Sequence, residues 1–370
     1  MSDRLAVYFD ARVFDHDTGE GFFEALPSPY LPVSERHPEN GERVRNMAGV
    51  LGKGPICGAL DWYAADLASL EDMALFHDVD YLEGLASIPT DETRTFSSTT
   101  IFGPGSYEII SVAAGLAIAA ANHVWQGQGN IAYAMSRPPG HHAQPDMADG
   151  YCFVNNIGVA IETLRKQGLK RACVIDWDVH HGNGTQEGFY EDPDILTVSM
   201  HMDHRAWGST HPQTGLGDEV GRGAGKGANL NIPLPMGSGN AYYLAAFDRL
   251  ITPAIREHKP EIIFIAAGQD ANQFDPNGRQ TVNMEGFYQL GLRARQLADA
   301  VCGGKLVLVQ EGGYQMSYAA YCLHTTLEGV LLRERALDDP LAYMPDHAEG
   351  LDECLEKIVK QRKMGMNSIL

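Results

Sequence analysis

Basic residues are scarce in this chain. Its 28 lysines and arginines stand against 48 aspartates and glutamates, a formal net charge of −20. A nucleic-acid surface needs a basic patch, so no nucleic-acid partner is expected. Long apolar runs are missing as well, none approaching the roughly 18 residues of a membrane-spanning helix. The opening residues MSDRLAVYFD lack the basic-then-apolar order of a secretory signal. No membrane partner and a cytoplasmic location are therefore expected. The six cysteines, Cys57, Cys152, Cys173, Cys302, Cys322 and Cys354, contain no C-x-x-C pair. Cys152 and Cys173 read as reduced thiols in apolar, strand-like settings. No internal repeat, low-complexity tract or Pro/Gly/Ser-rich linker interrupts the chain, so one domain over residues 1–370 is the simplest reading.

Apolar residues make up 44% and charged residues 21%, which is ordinary for a globular core. Short apolar runs alternate with longer amphipathic ones. Strands are expected at Leu5–Phe9, Asn130–Ala134, Arg171–Asp176, Ile195–His201, Glu261–Ala267 and Lys305–Gln310. Helices are expected at Ser106–Trp125, Val154–Lys166, Ala241–His258, Met284–Val301 and Tyr318–Arg335. This alternation is the signature of an α/β fold with a parallel sheet covered on both faces.

Polar motifs follow four of these strands directly: Arg137-Pro138-Pro139-Gly140-His141-His142, Asp176-Trp177-Asp178-Val179-His180-His181, Gly268-Gln269-Asp270-Ala271 and Glu311-Gly312-Gly313-Tyr314. Ligands of open α/β sheets bind beyond the carboxyl ends of the strands, so four such motifs there describe a site. Asp178 and His180, two residues apart, face the same way on extended backbone. With Asp270 they form a set of two carboxylates and one imidazole, which suits a single catalytic Zn²⁺ with an open position for water. Iron(II) or manganese could bind the same set. A lone aspartate before a helix is more often a cap, but the combined pattern favours the metal.

His141 and His142 follow a stiff Pro-Pro-Gly turn. Adjacent imidazoles can act as base and acid if their surroundings differ, and Asp176 is the carboxylate placed to hold one of them. A tyrosine after two glycines is commonly a packing residue; beside the other motifs, Tyr314 reads as a hydroxyl donor to an oxyanion. His181 is assigned to bracing the turn.

The set PPGHH, DWDVHHGNGT, GxDA and EGGY, with HPENGERV from His37 and HDVDYL from His77, resembles the zinc-dependent histone deacetylase superfamily. Within it, the chain resembles the bacterial, class II-like branch of amidohydrolases and acetylpolyamine amidohydrolases. The resemblance implies a single-domain arginase–deacetylase fold, with an eight-stranded parallel sheet, flanking helices and long active-site loops. It implies zinc on Asp178, His180 and Asp270, tandem histidines His141 and His142 with His142 the general base, and Tyr314 polarising the carbonyl. Asp176 would partner His141 and Asn183 would partner His142. A structural K⁺ would take the Asp176 side chain, backbone carbonyls of Asp178, His180 and Met200, and the Ser199 hydroxyl. Gly150 and Tyr151 would line the substrate tunnel.

Departures from the family pattern bear on the substrate. Asn183 stands where some members have Asp, which leaves His142 less basic. His211 is offered where the tunnel wall opposite Tyr151 is often aromatic, and Gln269 replaces Phe or Ala. The segment Ser97–Thr100 supplies no acid to clamp a peptide backbone; Asp91 and Glu92 are the nearest. The expected reaction is hydrolysis of a small carboxamide (acetyl-polyamine, acyl-lysine or N-alkyl amide) by metal-bound water, in preference to histone peptides. The alternatives are a binuclear manganese ureohydrolase, which needs a second cluster of aspartates, and a catalytically silent binding protein on the same fold. The loops Gly19–Glu35 and His201–Lys226 are open to two readings, a homo-oligomer interface or a cover for the pocket.

Overall fold

The computed structural model describes residues 4–19, 29–33, 35–97, 99–204, 214–339, 342 and 344–368. His211 and the middle parts of both long loops lie outside the described residues. In chain order the strands are β1 (Leu5–Tyr8), β2 (Leu60–Tyr63), β3 (Arg94–Thr95), β4 (Ile101–Phe102), β5 (Ile131–Ala134), β6 (Ala172–Asp176), β7 (Ile195–Met202), β8 (Asn229–Leu234), β9 (Ile262–Ala267) and β10 (Leu306–Gln310). The helices are α1 (Gly41–Lys53), α2 (Leu70–Met73), α3 (Val79–Ala86), α4 (Ser106–Trp125), α5 (Asn156–Lys166), α6 (Asn183–Phe189), α7 (Asn240–Ala246), α8 (Thr252–His258), α9 (Met284–Cys302), α10 (Tyr318–Val330) and α11 (Leu351–Asn367).

Eight strands form one sheet in the order β2-β1-β5-β10-β9-β6-β7-β8, and every pairing in it is parallel. The inner strands are buried along their whole length, as continuous apolar runs between two helical layers must be. The four strands that lead into the polar motifs, β5, β10, β9 and β6, are consecutive neighbours in the middle of the sheet. Four loops from different parts of the chain therefore open onto one spot. Register refines this: Asp176 pairs with Ala266 on one side and Ser199 on the other.

Several sequence expectations need correction. The strands β2 and β8 at the two edges of the sheet were not expected. β2 is short and half-exposed, and β8 carries Asn229, Asn231 and Pro233; proline is tolerated in edge strands. The helix expected over 241–258 is α7 and α8 joined through a π-turn at Phe247–Ile251. The helix expected to reach Arg335 stops at Val330, followed by Leu332 in the left-handed region at φ 53°. Cys152 lies in a short bridge with Asp149 rather than in a strand. The helix α4 is long and apolar enough to cross a membrane by length and composition, contrary to the expectation, but 72% of its apolar stretch is buried inside the protein. It packs on α5 and β5, which explains its apolar surface without a bilayer.

Candidate metal centre and catalytic dyad

The loop after β6 turns back on itself through its own side chains. Asp176 accepts the Asp178 N–H at 3.0 Å, and Asp178 accepts the His180 N–H at 2.9 Å. These local bonds hold alternate side chains on one side. His180 Nδ1 then lies 3.1 Å from Asp178 Oδ1 and 3.2 Å from Asp270 Oδ2. All three residues are buried, and their ligand atoms lie within 4.8 Å of one another. The remaining oxygens are anchored: Asp178 Oδ2 takes the Gly312 N–H at 2.8 Å, and Asp270 Oδ1 takes the Val179 N–H at 2.7 Å. Apart from His180 Nδ1, the buried Asp270 Oδ2 has no hydrogen-bond partner, a state that a cation relieves. Burial alone would lower the His180 pKa, but hydrogen bonds to Asp178 and Asp270 lift it to about 10. The pocket is built to hold positive charge between two carboxylates. Two hard oxygens and one imidazole, with no fourth His, Cys, Asp or Glu in the cluster among the described residues, fit a catalytic zinc.

Gly312 is required by that geometry. A Cβ there would stand 2.1 Å from Asp270 Oδ2 and 2.6 Å from Asp178 Oδ2. Gly312 thus allows a close approach, and Gly313, at φ 123°, takes a backbone that favours glycine.

The two histidines are set apart by their partners. His141 Nδ1 is 2.8 Å from Asp176 Oδ2. Burial disfavours its charged form, but the charges of Asp178 and Asp176 override that and raise its pKa well above the usual value. His142 Nδ1 is 2.6 Å from Asn183 Oδ1. Asn183 Nδ2 donates to Asp149 at 2.8 Å, which fixes the amide with its oxygen toward His142. Nδ1 of His142 therefore carries the hydrogen, assigned from these partners, and Nε2 keeps a lone pair. Burial, then the neighbouring His141 and His180, lower the His142 pKa well below its usual value. Glu311 braces the same turn by accepting the Gly140 and His141 N–H groups at 2.6 and 3.1 Å.

Tyr314 is buried, with one aromatic and one cationic neighbour at its ring. Tyr151 stands edge-on at 5.7 Å and the Arg43 guanidinium lies 5.3 Å from the ring centroid. Burial, then the charges of Asp178 and Asp270, push the Tyr314 pKa well above its usual value, so the phenol keeps its proton. Tyr151 has φ 70°, and Gly150 beside it admits no side chain, because a Cβ would come 2.3 Å from His142 Cδ2. His37 packs edge-on to Tyr151 at 5.0 Å.

The structure thus brings together His141, His142, Asp176, Asp178, His180, Asn183, Gly150, Tyr151, Asp270 and Tyr314, with Ser199 and Met200 on the adjacent β7. It places Gln269 elsewhere. That side chain is fully buried, donates to Ala267 O and accepts from Gln310, which in turn accepts from Tyr133. Gln269 serves a buried amide chain, so its difference from the family pattern says nothing about the pocket wall. His181 lies 3.1 Å from Ser199 Oγ and packs on the His201 ring, consistent with a bracing part.

Residues missed by sequence reasoning form the supporting shell. Glu39 joins Arg43 at 3.0 Å and Arg137 at 2.8 Å, all three fully buried. Two of them belong to HPENGER and one precedes PPGHH, so the motifs that carry them were visible. Glu311 likewise opens the EGGY motif, whereas Asp149 and Asp275 had no comparable signal, because they join side chains or backbone of other loops.

The chain matches the family described as the histone deacetylase domain over residues 37–330. It is 44% identical over 362 residues to histone deacetylase 8 of Arabidopsis thaliana, covering 97% of this chain and 96% of that protein. It is 37% identical over 347 residues to a histone deacetylase-like amidohydrolase of Pseudomonas aeruginosa, covering 92% and 90%. Among solved structures it is similar to the crystal structure of the HDA15 HD domain, with a TM-score of 0.83, 28% identity, and coverage of 98% of this chain and 97% of that one.

Proposed function

The chain belongs to the histone deacetylase family and is a hydrolase of the deacetylase and amidohydrolase kind, and from that premise we propose that it hydrolyses small carboxamides with one zinc ion on Asp178, His180 and Asp270. The observation that carries this reading is the placement of His180 Nδ1 at 3.1 and 3.2 Å from two buried carboxylates, those of Asp178 and Asp270. When bound, zinc would supply Lewis acidity to the scissile carbonyl and lower the pKa of a water. His142, neutral and with its lone pair on Nε2, takes the proton of the attacking water. Tyr314, protonated and buried, donates to the developing oxyanion. His141, held protonated by Asp176, stands beside His142 at a ring separation of 4.0 Å and supports the transfer of a proton to the leaving amine.

A structural K⁺ is part of the same proposal. Register neighbours Asp176 and Ser199 bring side-chain oxygens of β6 and β7 together, and backbone carbonyls of Asp178, His180 and Met200 would complete an all-oxygen set, the hard-donor type that a group I cation takes. Among the described residues, Asp178, His180 and Asp270 form the only metal-type cluster of His, Cys, Asp or Glu, which favours the mononuclear reading over a ureohydrolase. A cytosolic setting fits six cysteines that are all free thiols.

Small amides are favoured over histone peptides by the rim. Glu92 is engaged by Arg94 at 3.0 Å. Thr100 accepts from Tyr151 N and from Ser97. Of the acids nearest Ser97–Thr100, Glu92 is thus engaged by an arginine, which supports a small amide over a clamped peptide backbone. A panel of acetyl-polyamines, acyl-lysine peptides and small N-alkyl amides tests this. A kcat/KM at least tenfold higher for the small amides is expected; equal or higher values for acyl-lysine peptides would overturn the substrate assignment.

A further inference from the structure

Asp275 follows Asp270 in the loop that leaves β9, and it is buried. Its two oxygens face different parts of the molecule. Oδ1 accepts the N–H groups of Asn277 at 2.9 Å and Gly278 at 3.3 Å, the habit of an aspartate closing its own turn. Oδ2 crosses to the loop after β10, where it accepts the Tyr314 N–H at 2.7 Å and the Gln315 N–H at 3.2 Å, and it also takes the Asn272 side chain at 3.2 Å. A carboxylate that only closed a turn would have no need of the second set.

The ring of Tyr314 is tied to the same carboxylate by a second route. Asn277, whose backbone sits on Asp275, donates from Nδ2 to the Tyr151 hydroxyl at 3.1 Å. Tyr151 in turn packs edge-on against Tyr314. Backbone and ring of Tyr314 are therefore both referred to one buried group.

We propose that Asp275 is a positioning residue for Tyr314, its carboxylate locking the 275–278 turn to the backbone of Tyr314 and so setting where the phenol hydroxyl meets the substrate carbonyl. The inference rests on the reading of Tyr314 as donor to that carbonyl. Charge-assisted bonds to backbone N–H groups are short and directional, and a misplacement of about 1 Å in a reacting group costs roughly 100-fold in rate. An asparagine at 275 keeps the shape but turns an NH₂ toward one of the two pairs of N–H donors.

The test is a double-mutant cycle of Asp275→Asn and Tyr314→Phe. It reads kcat and KM on a fluorogenic acetyl-lysine substrate, zinc content by elemental analysis, and melting temperature. Tyr314→Phe is expected to lower kcat roughly 100-fold with KM and zinc retained. Asp275→Asn is expected to lower kcat by about 10- to 100-fold with KM and zinc likewise retained, the pattern of an interaction made only in the transition state. In the Tyr314→Phe background it should cost less than about threefold more, because the group it positions is gone. Equal loss in both backgrounds, unchanged kcat in Asp275→Asn, or loss of zinc from that variant would each overturn the proposal. Full turnover in Tyr314→Phe would instead overturn the reading of Tyr314, a separate result. Should Asp275→Asn not fold, Asp275→Glu keeps an acidic acceptor and is judged by the same cycle and criteria.

Discussion

Asn183 shows how much one atom decides at the scale of single residues. Its amide oxygen accepts from His142 Nδ1 while its NH₂ donates to Asp149, so the imidazole faces a neutral oxygen where a carboxylate would raise its basicity. Substituting Asn183→Asp puts negative charge directly on His142 Nδ1 and raises the pKa of the imidazole. A general base works only when neutral, so the acidic limb of kcat/KM should move to higher pH. A pH–rate profile of the variant checks this, and an unmoved limb would remove His142 from the role of base. Asp178 and His180 were readable from their spacing, because local backbone geometry places alternating side chains together, while Asp270 was readable only from its motif after another strand. Gln269 was misread for the opposite reason: its side chain turns into the sheet to meet Gln310, and no local pattern encodes that choice.

Between elements, the buried triad of Glu39, Arg43 and Arg137 ties the start of α1 to the loop that carries the histidines. Burial alone would raise the Glu39 pKa, but the charges of Arg137 and Arg43 override it and hold the carboxyl at about 2, against an ordinary value of 4.5. A depressed carboxyl pKa contributes stability that is complete above pH 4.5 and is lost as pH falls through the window toward 2. That shift corresponds to on the order of 3 kcal/mol. Glu39→Gln leaves two buried guanidinium groups without their carboxylate and should destabilise the fold by about 3–5 kcal/mol at neutral pH. Denaturant unfolding of both proteins between pH 2 and pH 7 measures it: the wild type should lose its advantage toward the acid end, and a constant or absent difference would contradict the account. The inner strands were legible from apolar runs buried on both faces. The edge strands were not, because β2 exposes Trp62 and Tyr63 and β8 mixes asparagine and proline into its run. Both are stabilised by their neighbours rather than by their own composition.

For the whole molecule, the order of the sheet does what no single motif could reveal. Sequence alone places four polar motifs after four strands, but only the arrangement β5-β10-β9-β6 makes those strands adjacent. The fold class was recoverable because alternation of strand and helix reports a parallel sheet. The supporting carboxylates Asp149 and Asp275 were not, since each joins loops distant in the chain. The excess of acidic residues, a formal charge of −20, adds a negative field that favours the approach of cationic amines over anionic ligands.

One zinc ion at Asp178, His180 and Asp270 is central to the proposed chemistry, and the most direct measurement is a metal titration of the chelated protein, followed by amide hydrolysis and elemental analysis. Activity should be lost on chelation and return in proportion to added zinc, levelling off at one equivalent per chain. Activity that survives complete metal removal, or that requires two ions per chain, would contradict it.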